Sequence, residues 1–578
     1  MSISLWNRVL PLSLLVPALT LAADNGKPAH DWDSHRIKHV LLLSIDGMHA
    51  VDYINCARGT PGVNNGQPYC PNLATLAQTG VNYVNASTSK PSDSFPGLTS
   101  IVSGGSPRTE GVFYDVAYDR VLAPPAKTTG NGLPAGPCKA GVANGTTTEY
   151  EEGIDIDQTK LNGGAPGAGL TDGGVRSIDP SRLIRDPFRN CAPVWPWNFV
   201  RTNTIFGVVH AYGGYTAWSD KHPAYSSVAG LGDPAALDDF FAPEINSNVV
   251  AVPGVTLPDG TSCATVLDPS QTGSWTDSFQ NIRCYDQIKV QAILHQINGR
   301  RHGGARSAPV PNLFGMNFQA VSVGQKLIEK NVGTGGYLDA AGTPGPELLT
   351  EIEYVDAALG QMVDNLKDQG LYDSTLIVVT AKHGQSPIDP NRFFPIPGHS
   401  GANGTTPATL LASLLPYSES PLNPTGIGPT EDDISLLWLS DSSKTSQAVG
   451  ILESNAKQIG LGQIFYGPSL EQLFNAPGLP PYGDSRSPDI IVAPNVGVVY
   501  TGSKSKLAEH GGFAHDDTNV VLLLSNPGIL ARTITAGVET TQIAPTILRA
   551  LGLPPSELDA VRQEGTATLP GSNLDNSR

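Results

Sequence analysis

The stretch Lys38-His-Val-Leu-Leu-Leu-Ser-Ile-Asp-Gly47 decides the fold. A continuous apolar run closed by Asp-Gly reads as a strand buried on both faces, the pattern of a parallel sheet covered by helices. Ligands in open α/β sheets bind at the C-terminal ends of strands, which places the Asp46 carboxylate well. Asp-Gly after a strand is also an ordinary turn, so this residue needs company before it means chemistry.

Company comes from segments of the same design. Thr375-Leu-Ile-Val-Val-Thr380 is a second apolar strand and delivers Ala381-Lys-His-Gly384 at its C-terminal end. It follows a helix whose Leu348, Ile352, Val355, Leu359, Met362 and Leu366 recur at three- and four-residue steps, with Gly370 as the stop. Tyr215-Thr-Ala-Trp-Ser219 reads as a strand after a helix over 203–213 with a Gly stop, and ends in Asp220-Lys221-His222. Further strands are expected at Asn312–Phe318, Asp489–Pro494 and Asn519–Ser525, and a closing helix over 541–555. Lys90-Pro-Ser-Asp-Ser-Phe-Pro-Gly-Leu-Thr-Ser-Ile-Val-Ser-Gly-Gly105 reads as a loop entering a helix, with Ser94 as N-cap and Leu98, Ile101 and Val102 as its apolar stripe. A hydroxyl there sits where free N–H groups and the helix dipole favour an anion.

The bulk numbers narrow the classes. A chain of 578 residues, 39% hydrophobic with 63 Gly and 48 Pro, is globular and rich in loops. A net charge of −17 argues against general nucleic-acid or anionic-membrane binding, though an anionic substrate needs only a local positive cluster. Met1 to Ala23 carries Arg8, an apolar run broken by Pro and small residues at its end, the pattern of a cleaved signal peptide. No other stretch is long and apolar enough to span a bilayer, so a secreted or periplasmic protein is expected. Cys56, Cys70, Cys138, Cys191, Cys263 and Cys284 suit that compartment as disulfides, with sequential pairing the simplest of the fifteen connectivities. No G-x-S-x-G elbow occurs, which argues against a serine acyl hydrolase.

Asp46, Ser94, Asp339, His383 and His510 thus come from separate segments, each at a strand end, a helix start or a flanking loop. Asp and His are ligands for zinc-like ions, and a metal-bound serine oxygen can lose its proton near neutral pH. Here the chain resembles the alkaline phosphatase superfamily, most closely the type I phosphodiesterase/nucleotide pyrophosphatase branch. The similarity is carried by SIDGM at 44–48, KPSDSFPGLTSIVSGGSPRTEGVFYD at 90–115, EYVDAALGQMVDNLKDQGLYDSTLIVVTAKHGQSP at 353–387, HGGFAHDDTNVVLLLSNPGI at 510–529 and QIAPTILRALGLPP at 542–555.

The resemblance implies that Ser94 is the nucleophile and that two metal ions sit beside it. One would be held by Asp46, Ser94 and an Asp-His pair before Gly384, the other by Asp339, a histidine four residues later and His510. Two positions depart from that pattern: Lys382 stands for the aspartate and Thr343 for the histidine. A protonated lysine cannot ligate a cation. One metal with the Lys382 ammonium in place of the second, two metals with substitutes such as Glu509 or His515, and a non-catalytic anion-binding relative all stay open. GGYTAWSDKHPAY at 213–225 is similar to a sulfatase segment that puts Lys221 and His222 near the bound oxyanion, so a sulfatase-like one-metal ester hydrolase is a further alternative. The sulfatase nucleophile motif is absent, which favours phosphorus.

The expected architecture is an α/β fold with a central, mostly parallel sheet flanked by helices, with long loop insertions and a cap. Its parts are a signal peptide over 1–23, core segments over 36–115, 311–387 and 488–556, a loop-rich insertion over 116–310 with a core helix and strand near 203–222, a cap over 388–487 and a tail over 557–578. The expected activity is metal-dependent hydrolysis of small or polymeric phosphate esters through a covalent Ser94 intermediate. One or two divalent ions, zinc foremost, would be the cofactor, Ser94 and Lys382 the catalytic residues, and Lys221, His222 and Thr343 the substrate contacts. His295, His302 and His399 are expected to be ordinary loop or surface histidines.

Overall fold

The computed structural model describes residues 30–572, apart from 131, 151–174, 176–177, 233, 247–253, 264–273, 397–404, 416–429 and 501–505. The proposed signal peptide and His399 lie outside the described residues.

Eight strands form the central sheet: β1 His39–Ile45, β2 Gly80–Tyr83, β3 Thr216–Ser219, β4 Asp239–Phe241, β5 Leu313–Phe318, β6 Thr375–Thr380, β7 Leu522–Ser525 and β8 Arg532–Ile534. Their order is β8-β2-β7-β6-β1-β5-β3-β4. Every neighbouring pair is parallel except the two that involve β7. The apolar run of β1 explains its central place. Val40 and Leu42 point into one hydrophobic layer and Leu41 and Leu43 into the other, and all four are buried. Each such leucine contributes about 2 kcal/mol when removed from water.

The helices divide between the two faces. α1 (Ala50–Arg58), α4 (Phe279–Ile297) and α5 (Pro346–Asp368) cover the face of Leu41 and Leu43. On the other face lie α2 (Ser94–Ser103), α3 (Ile205–Ala211) and α6 (Ile543–Ala550). The arrangement is the expected α/β layering.

Two expectations are corrected. Most of 116–310 was expected as loops, yet it holds β4 and the 19-residue α4. The segment Ile490–Pro494 was expected in the central sheet, yet it is an inner strand of a separate four-stranded antiparallel sheet. Its partners are Ser435–Leu437 and Leu461–Tyr466, and Ile490 and Val492 pack in a core of their own with Leu437, Leu452 and Ile459. The smaller domain therefore continues past 487. An apolar strand looks the same in either sheet, because alternation and hydrophobicity do not encode the partner.

The disulfides join Cys56 to Cys70, Cys138 to Cys191 and Cys263 to Cys284, which is the sequential pairing. Among the described residues no helix is long and apolar enough to cross a membrane.

Candidate active site

The register of the sheet gathers the site. Ser44 of β1 pairs with Asn317 of β5 and Thr380 of β6, and Met316 of β5 pairs with Ser219 of β3. The residues just beyond those pairs, Asp46, Asn317–Gln319, Asp220–Lys221 and Lys382–His383, therefore share one sheet edge. Ser94 enters the same place from the first turn of α2. Gly97 permits the approach: a Cβ there would stand 2.3 Å from the Lys382 carbonyl oxygen.

Ser94 is the first helical residue rather than the N-cap. Asp93 caps α2, its Oδ2 accepting from the Phe95 and Asp115 amides at 3.3 and 2.9 Å. The Ser94 hydroxyl is thereby free for side chains. Its Oγ lies 3.0 Å from His383 Nε2 and accepts from Lys221 Nζ at 3.1 Å. His383 Nδ1 lies 2.8 Å from the Gly384 carbonyl, which can only accept, so a neutral ring carries its proton on Nδ1 and turns a bare Nε2 to Ser94. Burial, with His510 beside it, pulls the His383 pKa down to about 3, against the pull of Asp46. The ring is neutral at working pH.

Asp46 shows an asymmetry. Its Oδ2 accepts from Gln319 Nε2 and from Asn317 Nδ2 at 3.2 Å, and lies 3.4 Å from Lys382 Nζ and 3.8 Å from Lys221 Nζ. Its buried Oδ1 has no hydrogen bond and faces His383 Nε2 at 3.8 Å. Burial would push this carboxyl up, but Lys382 above all, with His383, Lys221 and the Gln319 hydrogen bond, holds it well below the usual carboxylate range. Lys382 itself is fully buried, 3.7 Å from Asp220 Oδ1 and 4.4 Å above the Tyr225 ring. Asp220 is fixed by Trp218 Nε1 at 2.9 Å and the Lys221 amide at 2.8 Å.

The remaining expected residues divide. The His510 ring stands 4.0 Å from that of His383, centroid to centroid, with Nδ1 at 3.3 Å from Asp93 Oδ1. His222 is adjacent in sequence to Lys221, but its Nδ1 is 2.8 Å from Glu244 Oε1 and its ring stacks at 6.2 Å on Tyr225. Asp339 is not gathered. It lies exposed on the loop before α5, and its Oδ1 accepts from the Ala341 and Thr343 amides at 2.9 and 3.2 Å. Thr343 belongs to that same loop, which is tied to α1 by Asn55 Nδ2 at 3.0 Å from the Ala341 carbonyl. Glu509 pairs with Lys506, and His515 opens a short turn of its own. His295 bonds the His302 carbonyl at 2.7 Å and His302 pairs with Asp239.

Sequence reasoning missed Asp93, Asn317, Gln319 and Tyr225. The first is visible as the residue before Ser94, and the next two as polar side chains ending an apolar strand. Tyr225 carries no signal, because only the fold brings it under Lys382.

The residues do not fit two metal ions. At the first position one ligand is an ammonium, and Ser94 Oγ already accepts from another. A dication about 4 Å from an ammonium is opposed by about 8 kcal/mol at an effective dielectric of about 20. At the second position the carboxylate is spent on its own loop and the histidine is Thr343. Among the described residues no group of three or more His, Cys, Asp or Glu is arranged to hold a metal.

A sequence model of the type I phosphodiesterase/nucleotide pyrophosphatase family matches residues 40–134 and 338–516, which contain Asp46, Ser94, His383 and His510. The chain belongs to this family. Among solved structures it is similar to murine ectonucleotide pyrophosphatase/phosphodiesterase 5, an inactive variant in complex with AMP, at 13% identity and a TM-score of 0.49, over 89% of this chain and 96% of that one. The human ectonucleotide pyrophosphatase/phosphodiesterase 5 aligns at 13% identity and a TM-score of 0.48, over 89% of this chain and 95% of that one. No curated protein sequence matches the chain. The family is one of phosphodiesterase- and pyrophosphatase-type hydrolases, and Ser94 and His383, which lie in the two matched segments, touch.

Proposed function

We propose that the protein hydrolyses phosphate esters through a covalent intermediate on Ser94. The observation that carries this is the Ser94 hydroxyl, at a helix start, held between a bare imidazole nitrogen at 3.0 Å and an ammonium at 3.1 Å. His383 Nε2 takes the Ser94 proton as Oγ attacks phosphorus, and the P–O bond to the leaving alcohol breaks. The leaving oxygen takes its proton from water. Lys221 Nζ stabilises the negative charge that moves from Oγ onto the phosphoryl oxygens, and the α2 dipole adds to it. In the second half a water attacks the phosphoserine and gives up its proton to solvent, while the departing Ser94 oxygen regains its proton from His383.

The three sequential disulfides support an exported protein. The test is turnover of bis-p-nitrophenyl phosphate and p-nitrophenyl phosphate by wild type and Ser94→Ala. Loss of roughly a thousandfold or more with an unchanged fold supports the reading, and undiminished turnover rejects it.

A further inference from the structure

We propose that this site works without a bound metal ion, its fixed positive charge being supplied by the Lys382 and Lys221 ammonium groups. The inference rests on the hydrolase reading above and goes beyond it by removing the cofactor.

The geometry of Asp46 is the first argument. In a metal site the carboxylate turns its oxygens to the ion and is steadied from behind by hydrogen bonds. Here Oδ2, the better-solvated half by hydrogen bonding, is taken by Gln319, Asn317 and the Lys382 ammonium together. That leaves Oδ1 without a hydrogen bond, 3.8 Å from His383 Nε2, which itself contacts Ser94 Oγ. Of the ligands the resemblance implies at this position, Ser94 Oγ accepts from Lys221 and residue 382 is a lysine, which leaves Asp46 and His383, fewer than the three protein ligands a catalytic zinc site uses.

Charge balance is the second. Asp46 and Asp220 face Lys382 and Lys221 in a buried group, two carboxylates against two ammoniums. An added dication would leave that buried group with two uncompensated positive charges, which a low-dielectric interior does not tolerate. Lys382 is also built in rather than folded over the site. Its Nζ donates to the Tyr225 hydroxyl at 3.3 Å and lies over the Tyr225 ring, while Asp220 below it is pinned by Trp218. A chain that had merely lost a ligand would not need an aromatic floor and a second carboxylate for the replacement.

The third argument concerns support beneath the edge. Lys289 of α4, fully buried, donates to the Asn317 carbonyl and pairs with Asp286 at 3.0 Å. Asp286 in turn accepts from the Gln319 and Ala320 amides at 2.7 and 2.8 Å. The two amides that grip Asp46 Oδ2 thus belong to a backbone turn that is itself held, so Asp46 cannot swing both oxygens to an ion.

The test is made on the full-length protein by elemental analysis, by thermal melts with EDTA and with added Zn²⁺, and by turnover of bis-p-nitrophenyl phosphate under the same conditions. The expected result is well below one metal per chain, a melting temperature indifferent to chelator and ion, and activity changed by less than about twofold. Lys382→Met should cut turnover by roughly a hundredfold, and Lys382→Arg should retain more than Lys382→Met. Circular dichroism separates misfolding from lost charge, and the metal count of wild type does not depend on any variant. One or more tightly bound ions per chain, whose removal abolishes turnover and whose return restores it, would overturn the inference. Ser94→Ala is run alongside. If it is inactive while chelation also inactivates wild type, only the metal-free inference falls. If Ser94→Ala stays active, the hydrolase reading falls instead, and the metal count still decides this one.

Discussion

The two places where the family pattern fails behave differently. At residue 382 a carboxylate is replaced by lysine, and the surroundings are built around the change: Asp220, Tyr225 and Asp46 all touch the new ammonium. At residue 343, where the resemblance implies a histidine, the chain has a threonine on the same loop as Asp339. Asp339 remains in the chain but is exposed and bonded only within its own loop. On the metal-free proposal the first position supplies an ammonium's charge in place of a metal's, and the second takes no part in the chemistry. The contrast teaches that a missing ligand is informative only with its surroundings in view.

The sharpest way to break this contrast lies on the Ser94 side. His383→Ala removes the imidazole that contacts Ser94 Oγ, and turnover should fall by about a thousandfold in steady-state assays of a folded variant. If His383→Ala kept most of its activity, the base would have to be sought elsewhere.

Lys221→Met comes next. Its ammonium reaches both Ser94 and Asp46, and its loss should cost on the order of a hundredfold in kcat/KM, with kcat falling more than KM rises. A change confined to KM would make Lys221 a binding contact alone.

The pH profile sharpens the same side. A histidine base with an ordinary pKa near 6.5 fails as pH drops through that value. Burial pulls His383 down to about 3, so its Nε2 stays free of protons well below neutrality. The acid limb of kcat/KM should therefore lie below about pH 5. The stability consequence has a definite sign. The unfolded chain protonates this residue near 6.5 and the folded chain only near 3, so its contribution is complete above 6.5 and is lost as pH falls through that interval. His383→Asn should flatten that part of the stability curve, measured by denaturant melts. An unaltered curve would place the acid sensitivity in other groups.

The smallest effects belong to the Thr343 side. Asp339→Ala and Thr343→Val, at an exposed and a half-buried position of a loop away from Ser94, should change turnover by less than about twofold. Lys382→Asp with Thr343→His should not raise the metal content to two, because Asp339 stays on its exposed loop. Elemental analysis of that double variant showing two ions would reinstate the family's ligand set.

How much of this could be read beforehand depended on which face a residue showed. β1, β3, β5 and β6 lead into Asp46, Asp220, Asn317–Gln319 and Ala381–His383; all four were legible as strands, and β1 as a buried parallel one. α4 was not. Asp286, Gln287, Lys289 and Gln296 are buried beside Ile282, Tyr285, Ile288 and Ile293, so polar side chains interrupt the apolar face that periodicity seeks. Asp286 and Lys289 among them are the props beneath Asn317 and Gln319, so the support of the site helped conceal its own helix. Ser94 was found by its place in the motif, while its role as cap belonged to Asp93, one residue earlier, a difference that hydrogen bonding and not composition decides. The ligand role of Asp339 was expected from resemblance, and resemblance does not carry the conformation of a loop.

Gly97 sets a clearance. With 2.3 Å between its missing methyl and the Lys382 carbonyl, α2 can rest on the end of β6 only because this one side chain is a hydrogen atom. Any larger residue must push the helix outward, and the nucleophile rides on that helix three positions away. The working distance between Ser94 and His383 is thus gauged by a residue with no functional group, as a shim gauges a bearing. Displacements of about 1 Å at such distances cost about a hundredfold in rate, so inherited variation at residue 97 would be filtered as strictly as at the serine itself.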